Sequence, residues 1–313
     1  MNFNFQDKQI DFVKHRNKFF IFTLSYVVIG IILLSTMGLN LGIDFESGSR
    51  VEITSTESLT AEELNQHFEQ IGAGYTPDDV TLAGEQNERA SVRFIGVLSA
   101  EEIAEIQAYL TGLYGSEPSV STVSPTVGKE LARNALIAVL IASLGIAIYI
   151  SFRFQFLYGA AAVISLLHDA FFVIAIFSLL QIEINIPFIA AVLTVVGYSI
   201  NDTIVTFDRI RENVKNAKRI KGFSDLAAIV NTSLLQTLAR SINTALTVAF
   251  AAAAIMIFGG EAIRSFAFAL LLGLLAGTYS SLFLAAQLWV VWKGKQLKKQ
   301  RFKSANPEAK PTP

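Results

Sequence analysis

An aspartate stands in an apolar stretch of the sequence that is long enough to cross a membrane. Asp202 lies in SINDTIVTFDR, near the end of the apolar run 186–207. A charged residue inside a spanning helix costs about 2.5–3.5 kcal/mol on insertion scales, and such residues usually face the interior of a helix bundle and serve a function. The chemistry expected of Asp202 is therefore the handling of charge within the membrane.

The polar residues around Asp202 follow the period of a helix. With 3.6 residues per turn, Tyr198, Asn201 and Asp202 share one face of the helix, which Thr194 and Thr206 continue. Apolar residues supply the remaining surface. The stripe predicts a hydrated crevice, or a partner helix that carries the complementary charge.

Arg240 is the candidate cation for Asp202 within this chain. In the stretch QTLARSINTALTV, Arg240, Asn243 and Thr244 fall on one helical face. Two other interpretations stay open. The pair could be a static buried ion pair that fixes the helix register, or Arg240 could extend its side chain to the membrane surface.

His168 and Asp169 form a second polar pair inside an apolar run. Adjacent helical residues point about 100° apart, so we expect the two side chains not to line one narrow path. Two ligands are too few for a metal site. The favoured interpretation is polar support, with hydrogen bonds from this pair to neighbouring helices.

Small residues recur every four positions in the last apolar run. Gly273, Gly277 and Ser281 lie on one stripe, which allows another helix to approach closely. The stripe predicts helix packing, either within the bundle or with a second subunit.

The composition places these residues in a membrane protein. The chain has 313 residues, 52% of them hydrophobic and 16% charged, with a mean hydropathy of +0.48. A spanning helix needs about 20 mostly apolar residues. Six runs qualify: about 19–39, 131–151, 157–180, 186–207, 241–258 and 264–292.

The positions of the basic residues predict the orientation of these six helices. Lys and Arg cluster in residues 1–18, in a predicted cytoplasmic loop at 208–238 and in the tail 293–313. Because basic segments usually remain in the cytoplasm, both termini are expected there. The basic tail is also expected to contact anionic membrane lipids.

Residues 40–128 are expected to form a domain outside the cytoplasm, followed by a five-helix membrane region at 129–292. The domain is acidic, and its pattern reads β-α-β-β-α-β, the order of a ferredoxin-like α/β domain. Capping boxes at Thr60 and Ser99 are expected to open its two helices. His67 is interpreted as a solvated residue rather than a catalyst.

Several kinds of chemistry have no support in the sequence. The chain has no cysteine, and it lacks P-loop, G-x-S-x-G and H-E-x-x-H motifs. We therefore expect no enzyme, no cofactor, no metal and no nucleic-acid partner. Energy for any work must come from a partner protein or from an ion gradient.

Five stretches resemble the SecF proteins of the SecD/SecF family, which belong to a larger group of proton-driven transporters. These are LGIDFESGSRVEI, PTVGKEL, VGYSINDTIVTFDRIREN, QTLARSINTALTV and ALLLGLLAGTYSSLFLA. One departure concerns the segment after the first helix, where Glu46-Ser47-Gly48 replaces the x-Gly-Gly of the family. Because serine tolerates positive φ poorly, this puts the local backbone conformation in doubt.

The resemblance implies a role in late protein export, powered by proton flow. Asp202 and Arg240 match family residues that are linked to proton conduction. The implied partners are SecD, the SecYEG channel, YajC, YidC and unfolded exported polypeptides. Two alternatives stay open: one half of a proton-driven exporter of small molecules or lipids, and a membrane scaffold that transports nothing.

Overall fold

The computed structural model describes residues 10–72, 75–84, 86–217 and 219–305. Within these ranges, six helices are long and apolar enough to cross a membrane, as the sequence predicts. The long helical elements, including the continuous pair α9 and α10, are α1 (Arg16–Thr36), α5 (Pro125–Arg153), α6 (Phe156–Leu180), α7 (Ile186–Asn216), α8 (Phe223–Phe258), α9 (Glu261–Ser280) and α10 (Ala286–Ala305). A small α/β domain lies between the first two spans.

The small domain has the predicted β-α-β-β-α-β order. Its elements are β1 (Gly48–Thr54), α3 (Ala61–Ile71), β2 (Asp79–Ala83), β3 (Arg89–Ile95), α4 (Ala100–Tyr114) and β4 (Ser119–Val123). The sheet order is β2-β3-β1-β4 with every neighbouring pair antiparallel, which confirms the ferredoxin-like arrangement. A short helix that the sequence did not predict, α2 (Ile43–Glu46), precedes β1.

Alternating residues of the sheet build the core of this domain. Val51, Val92, Phe68 and Leu110 have no exposed surface, because inward-facing strand positions meet the apolar faces of α3 and α4. The capping box at Ser99 is complete, whereas at Thr60 only the side chain of the cap residue takes part.

His67 is less solvated than predicted. Its Nδ1 lies 3.0 Å from the hydroxyl of Tyr109, and its ring packs edge-on against Tyr114. Glu63 places a carboxylate oxygen 3.7 Å from the other ring nitrogen. The reason is that α3 and α4 lie side by side on the sheet, which the pattern of α3 alone does not reveal.

The prediction of a loop at 208–238 is wrong in one respect, since most of this segment is helical. Helix α7 continues to Asn216 and α8 already begins at Phe223. Hydrogen bonds and ion pairs stabilise these polar extensions, among them Arg153 with Asp208 at 2.8 Å and Asn213 with Ser233 at 2.8 Å. Charged residues that end a membrane span therefore do not end the helix itself.

The main apolar cluster of the membrane region lies at the end of the bundle that is remote from the small domain. Trp289 of α10 is 1% exposed and stacks on Tyr158 of α6, with the ring centroids 4.6 Å apart. Phe207 of α7 packs edge-on against the same tyrosine. A five-residue π-helical segment, Ser281–Ala285, joins α9 to α10. Such segments commonly occur near functional sites.

Candidate functional site

Asp202 lies between three helices and uses one of its two carboxylate oxygens. Its Oδ1 accepts a hydrogen bond of 2.6 Å from the hydroxyl of Ser241 on α8. Its Oδ2 is buried and has no hydrogen-bond partner among the described residues. A buried carboxylate oxygen without a donor is costly as an anion, and it is a natural position for a proton.

The Asp202–Arg240 pair proposed from the sequence is not formed. Ser241 occupies the position facing Asp202, and Arg240, one residue earlier, points about 100° away and is exposed, although its guanidinium is still close enough to act on Asp202 electrostatically. Arg240 instead lines a separate cavity of about 360 Å³ together with Asp208 and Glu212. The register of α8 against α7 decided this, and the sequence does not specify that register.

Four of the predicted residues line one small cavity beside this carboxylate. They are Tyr198, Asn201, Asp202 and Thr244, and the cavity has about 30 Å³ of free space. This is enough for a single water molecule. Asn201, Thr244 and the neighbouring Asn243 are exposed, so the polar stripe opens on one side of the bundle.

The small-residue stripe packs within the bundle, which decides between the two alternatives left by the sequence. Gly277 faces Ser199 so closely that a Cβ atom on the glycine would lie 3.2 Å from the serine Cβ. Gly273 faces Val195 in the same way, and the hydroxyls of Ser281 and Thr203 are 2.9 Å apart. We call this contact between α9 and α7 the serine seam; it comprises Val195, Ser199, Thr203, Gly273, Gly277, Ser280 and Ser281.

His168 and Asp169 converge instead of diverging as predicted. The Nδ1 atom of His168 lies 2.8 Å from Oδ1 of Asp169, because side-chain rotation overcomes the angle between their Cα–Cβ bonds. Oδ2 of Asp169 accepts hydrogen bonds from Ser199 and, at 2.8 Å, from Ser280. The expected hydrogen bonds to neighbouring helices are therefore present for Asp169.

A second set of contacts joins the small domain to the start of α7, and sequence reasoning missed it. Asp44 of α2 accepts a hydrogen bond of 2.9 Å from the backbone N–H of Ile186, the first residue of α7. Leu41 forms a parallel β-bridge with Ile184, and Arg50 of β1 forms an ion pair with Glu183. The only local signal was the acidic residue in LGIDF, whose partner is distant in sequence. We call these contacts the domain clasp.

Two opposing effects act on the carboxyl group of the clasp. Removal from water raises the pKa of Glu183, and the guanidinium groups of Arg50 and Arg93 only partly offset this rise. Arg93 is held in place by hydrogen bonds of 2.9 Å to Asn40 and to the carbonyl of Leu41. The clasp is thus a partly buried charge cluster at the end of the membrane region, next to a cavity of about 550 Å³.

Two family models match the chain. The model described as "Protein export membrane protein SecD/SecF, C-terminal" matches residues 105–295, which include the serine seam and Asp202. The model described as "SecD/SecF GG Motif" matches residues 32–58, which include the part of the clasp that precedes α3.

Relatives of the chain agree with these family models. The chain is 54% identical over 289 residues to the protein translocase subunit SecDF of Bacillus subtilis, covering 92% of this chain and 39% of that protein. It is 42% identical over 294 residues to the protein translocase subunit SecF of Alicyclobacillus acidocaldarius, covering 93% of this chain and 95% of that one.

A solved structure shows the same architecture. The crystal structure of SecDF from Thermus thermophilus matches with a TM-score of 0.82 and 33% identity, covering 92% of this chain and 39% of that one. The chain thus spans about two fifths of the length of the SecDF proteins that it matches, and nearly the full length of SecF. With six apolar helices and these relatives, the chain is a multi-pass membrane protein and belongs to the SecD/SecF family, as a protein translocase subunit of the SecF type.

Proposed function

We propose that the chain uses proton flow, together with SecD, to promote the late translocation and release of exported polypeptides. The observation that carries the proposal is the unpaired Oδ2 of Asp202, buried beside a polar stripe that is open on one side. In this setting a carboxyl group gains or loses a proton more readily than it holds a permanent charge.

The open side of the stripe supports a partner within the membrane. Tyr198, Asn201, Arg240, Asn243 and Thr244 are exposed on α7 and α8. Polar and charged side chains in a spanning region face a bundle interior or a hydrated cavity rather than lipid. The helices of SecD are the proposed cover, and the proton path would run between the two sets of helices.

The domain clasp supports a route from the proton site to the polypeptide. Asp202 lies on α7, and the clasp joins the small domain to the residues at and just before the start of that helix. A shift of α7 on protonation would therefore move the small domain, which we propose to contact unfolded exported polypeptides. One charge crossing 100 mV supplies about 2.3 kcal/mol, so each proton provides a modest amount of work.

The wider setting is part of the same proposal. The complex would act beside the SecYEG channel, with YajC and YidC as further partners, in a bacterial cytoplasmic membrane. Both termini would lie in the cytoplasm and the small domain outside it. The clasp would then lie at the extracytoplasmic surface of the same membrane. No cofactor is assigned to the cycle.

The test measures translocation of an unfolded preprotein into inverted membrane vesicles, with and without a proton gradient. Asp202→Asn is expected to reduce the rate to the level measured without a gradient, because an amide cannot exchange the proton. Asp208→Asn is the matched control: it lies on the same helix but pairs with Arg153 at 2.8 Å in a half-exposed position.

The controls separate the outcomes. Asp208→Asn is expected to keep the stimulation by the gradient. Full stimulation in an Asp202→Asn complex that assembles in normal amounts would refute the proton role. The scaffold alternative would then be favoured, since it predicts that Asp202→Asn has no effect beyond stability.

A further inference from the structure

A second ionisable group lies in the membrane region, and the proposed cycle does not use it. Asp169 has no exposed surface, and His168 is 7% exposed. The hydroxyls of Ser199 and Ser280 donate to the Asp169 carboxylate, and Nδ1 of His168 lies 2.8 Å from its other oxygen. A carboxylate can only accept, so in this arrangement Nδ1 of His168 is the donor. The negative charge of the carboxylate is deeply buried.

Counting protons leaves one variable position. Because Nδ1 of His168 donates to Asp169, this nitrogen carries a hydrogen in both protonation states of the ring. The other ring nitrogen, Nε2, is buried and has no hydrogen-bond partner among the described residues. With Nε2 bare, the pair has a net charge of −1; with Nε2 protonated, the pair is neutral. A buried pair in an apolar region is more stable when neutral.

Aromatic rings surround this nitrogen. The ring of Tyr279 on α9 stacks on the imidazole at 5.8 Å with 18° between the planes, and Tyr26 on α1 packs edge-on at 5.1 Å. Stacked aromatic faces stabilise a cation more than a neutral ring. The titratable side chains that face the pair from other elements, within the described residues, are Tyr26, Tyr279 and Asp202 of α7.

We propose that His168 Nε2 is a second proton-binding site, stabilised by Asp169 and separate from Asp202. The serine seam connects the two sites. Ser199 is bonded to Asp169 and lies one helical turn before Asp202, on the same helix. Ser280 is bonded to Asp169 as well, and its neighbour Ser281 contacts Thr203, the residue after Asp202.

Proton binding at His168 is independent of what the chain transports. Participation of this proton in an export cycle rests on the proposed function above. Loss of the proton from His168 would leave the charge of Asp169 unbalanced, which would alter the hydrogen bonds across the seam and therefore the contact of α9 with α7. Binding or release of the proton at His168 would then affect the helix that carries Asp202.

Histidine-selective ¹⁵N labelling tests the proposal in the full chain, reconstituted in vesicles. The sequence has three histidines, His15, His67 and His168, and the spectrum of His168→Gln identifies the signal of the third. The ¹⁵N shifts of a bare and a protonated ring nitrogen differ clearly. His168 is expected to give the signals of an imidazolium with both ring nitrogens protonated, because the buried pair is then neutral.

The variant Asp169→Asn is expected to leave His168 as the neutral ring, because the balancing negative charge is gone. A neutral-ring signal of His168 in the wild type would overturn the proposal. So would an imidazolium signal of His168 in Asp169→Asn.

Ser280→Ala decides the question if Asp169→Asn does not fold. It removes one donor from the carboxylate, so Asp169 is expected to accept more strongly from the Nδ1–H of His168, and the ¹⁵N signal of Nδ1 is expected to shift. An unchanged Nδ1 signal would overturn the role of Asp169. If His168 carries the second proton but translocation ignores the gradient in the wild type, the proposed function fails and the proton site stands.

Discussion

Ser47 has a backbone conformation that serine rarely adopts, and replacing it with glycine is expected to stabilise the junction between α2 and the small domain. Its dihedral angles are φ +64° and ψ +148°. The chain needs this turn because α2 ends at Glu46 and β1 begins at Gly48. Exchanging the serine with the neighbouring glycine would not remove the strain, because a Cβ atom at position 48 would collide with the carbonyl oxygen of Phe94.

The size of the effect follows from two opposing contributions. A non-glycine residue in such a region costs about 1–3 kcal/mol. Glycine costs about 0.5–1 kcal/mol through the entropy of the unfolded chain. Ser47→Gly is therefore expected to stabilise the junction by about 1 kcal/mol, within a range of about 0–2.5 kcal/mol. Ser47→Ala is the matched control, because alanine keeps the Cβ atom and hence the strain.

Amide hydrogen exchange measures this change locally. Exchange of the β1 amides that require opening of the junction is expected to slow by roughly 5- to 10-fold in Ser47→Gly, and by no more than about 70-fold. Ser47→Ala is expected to exchange at close to the wild-type rate. The reasoning would be refuted if alanine protected β1 as well as glycine did, since at an unstrained position alanine is the more stabilising residue.

Two further predictions concern the serine seam and the domain clasp. Gly273→Ala is expected to destabilise the bundle by about 1–3 kcal/mol in detergent thermal unfolding, because its Cβ would overlap the side chain of Val195. The control Gly197→Ala has open space and should be neutral or stabilising; equal unfolding temperatures would contradict close packing. For the clasp, burial raises the pKa of Glu183, so the folded state binds this proton more tightly than the unfolded state does. Proton binding by Glu183 therefore stabilises the fold fully below about pH 4.5, and this stabilisation is lost as the pH rises through the folded-state pKa. The unfolding temperature of Glu183→Gln should therefore match that of the wild type at low pH and exceed it near neutrality. The opposite trend would show that the attraction of Arg50 outweighs the effect of burial.

The sequence determined the elements and their order. Spans of about 20 apolar residues and alternating strand patterns are local properties, so the six helices and the β-α-β-β-α-β domain could be read directly. The cost of a charge in a spanning helix singled out Asp202 for the same local reason. Ser47 also stands where the family pattern has glycine, which pointed to an unusual backbone conformation at this position. The positive φ of Ser47 agrees with that expectation.

Tertiary structure decided which side chains meet. Whether Asp202 faces Ser241 or Arg240 depends on the rotation of one helix against another, and a shift by one residue turns a side chain by about 100°. The convergence of His168 and Asp169 depends on rotamers that donors from α7 and α9 select. The clasp between residues 40–50 and the start of α7 joins segments more than a hundred positions apart. Such contacts arise from packing in three dimensions, and a one-dimensional pattern carries no record of them.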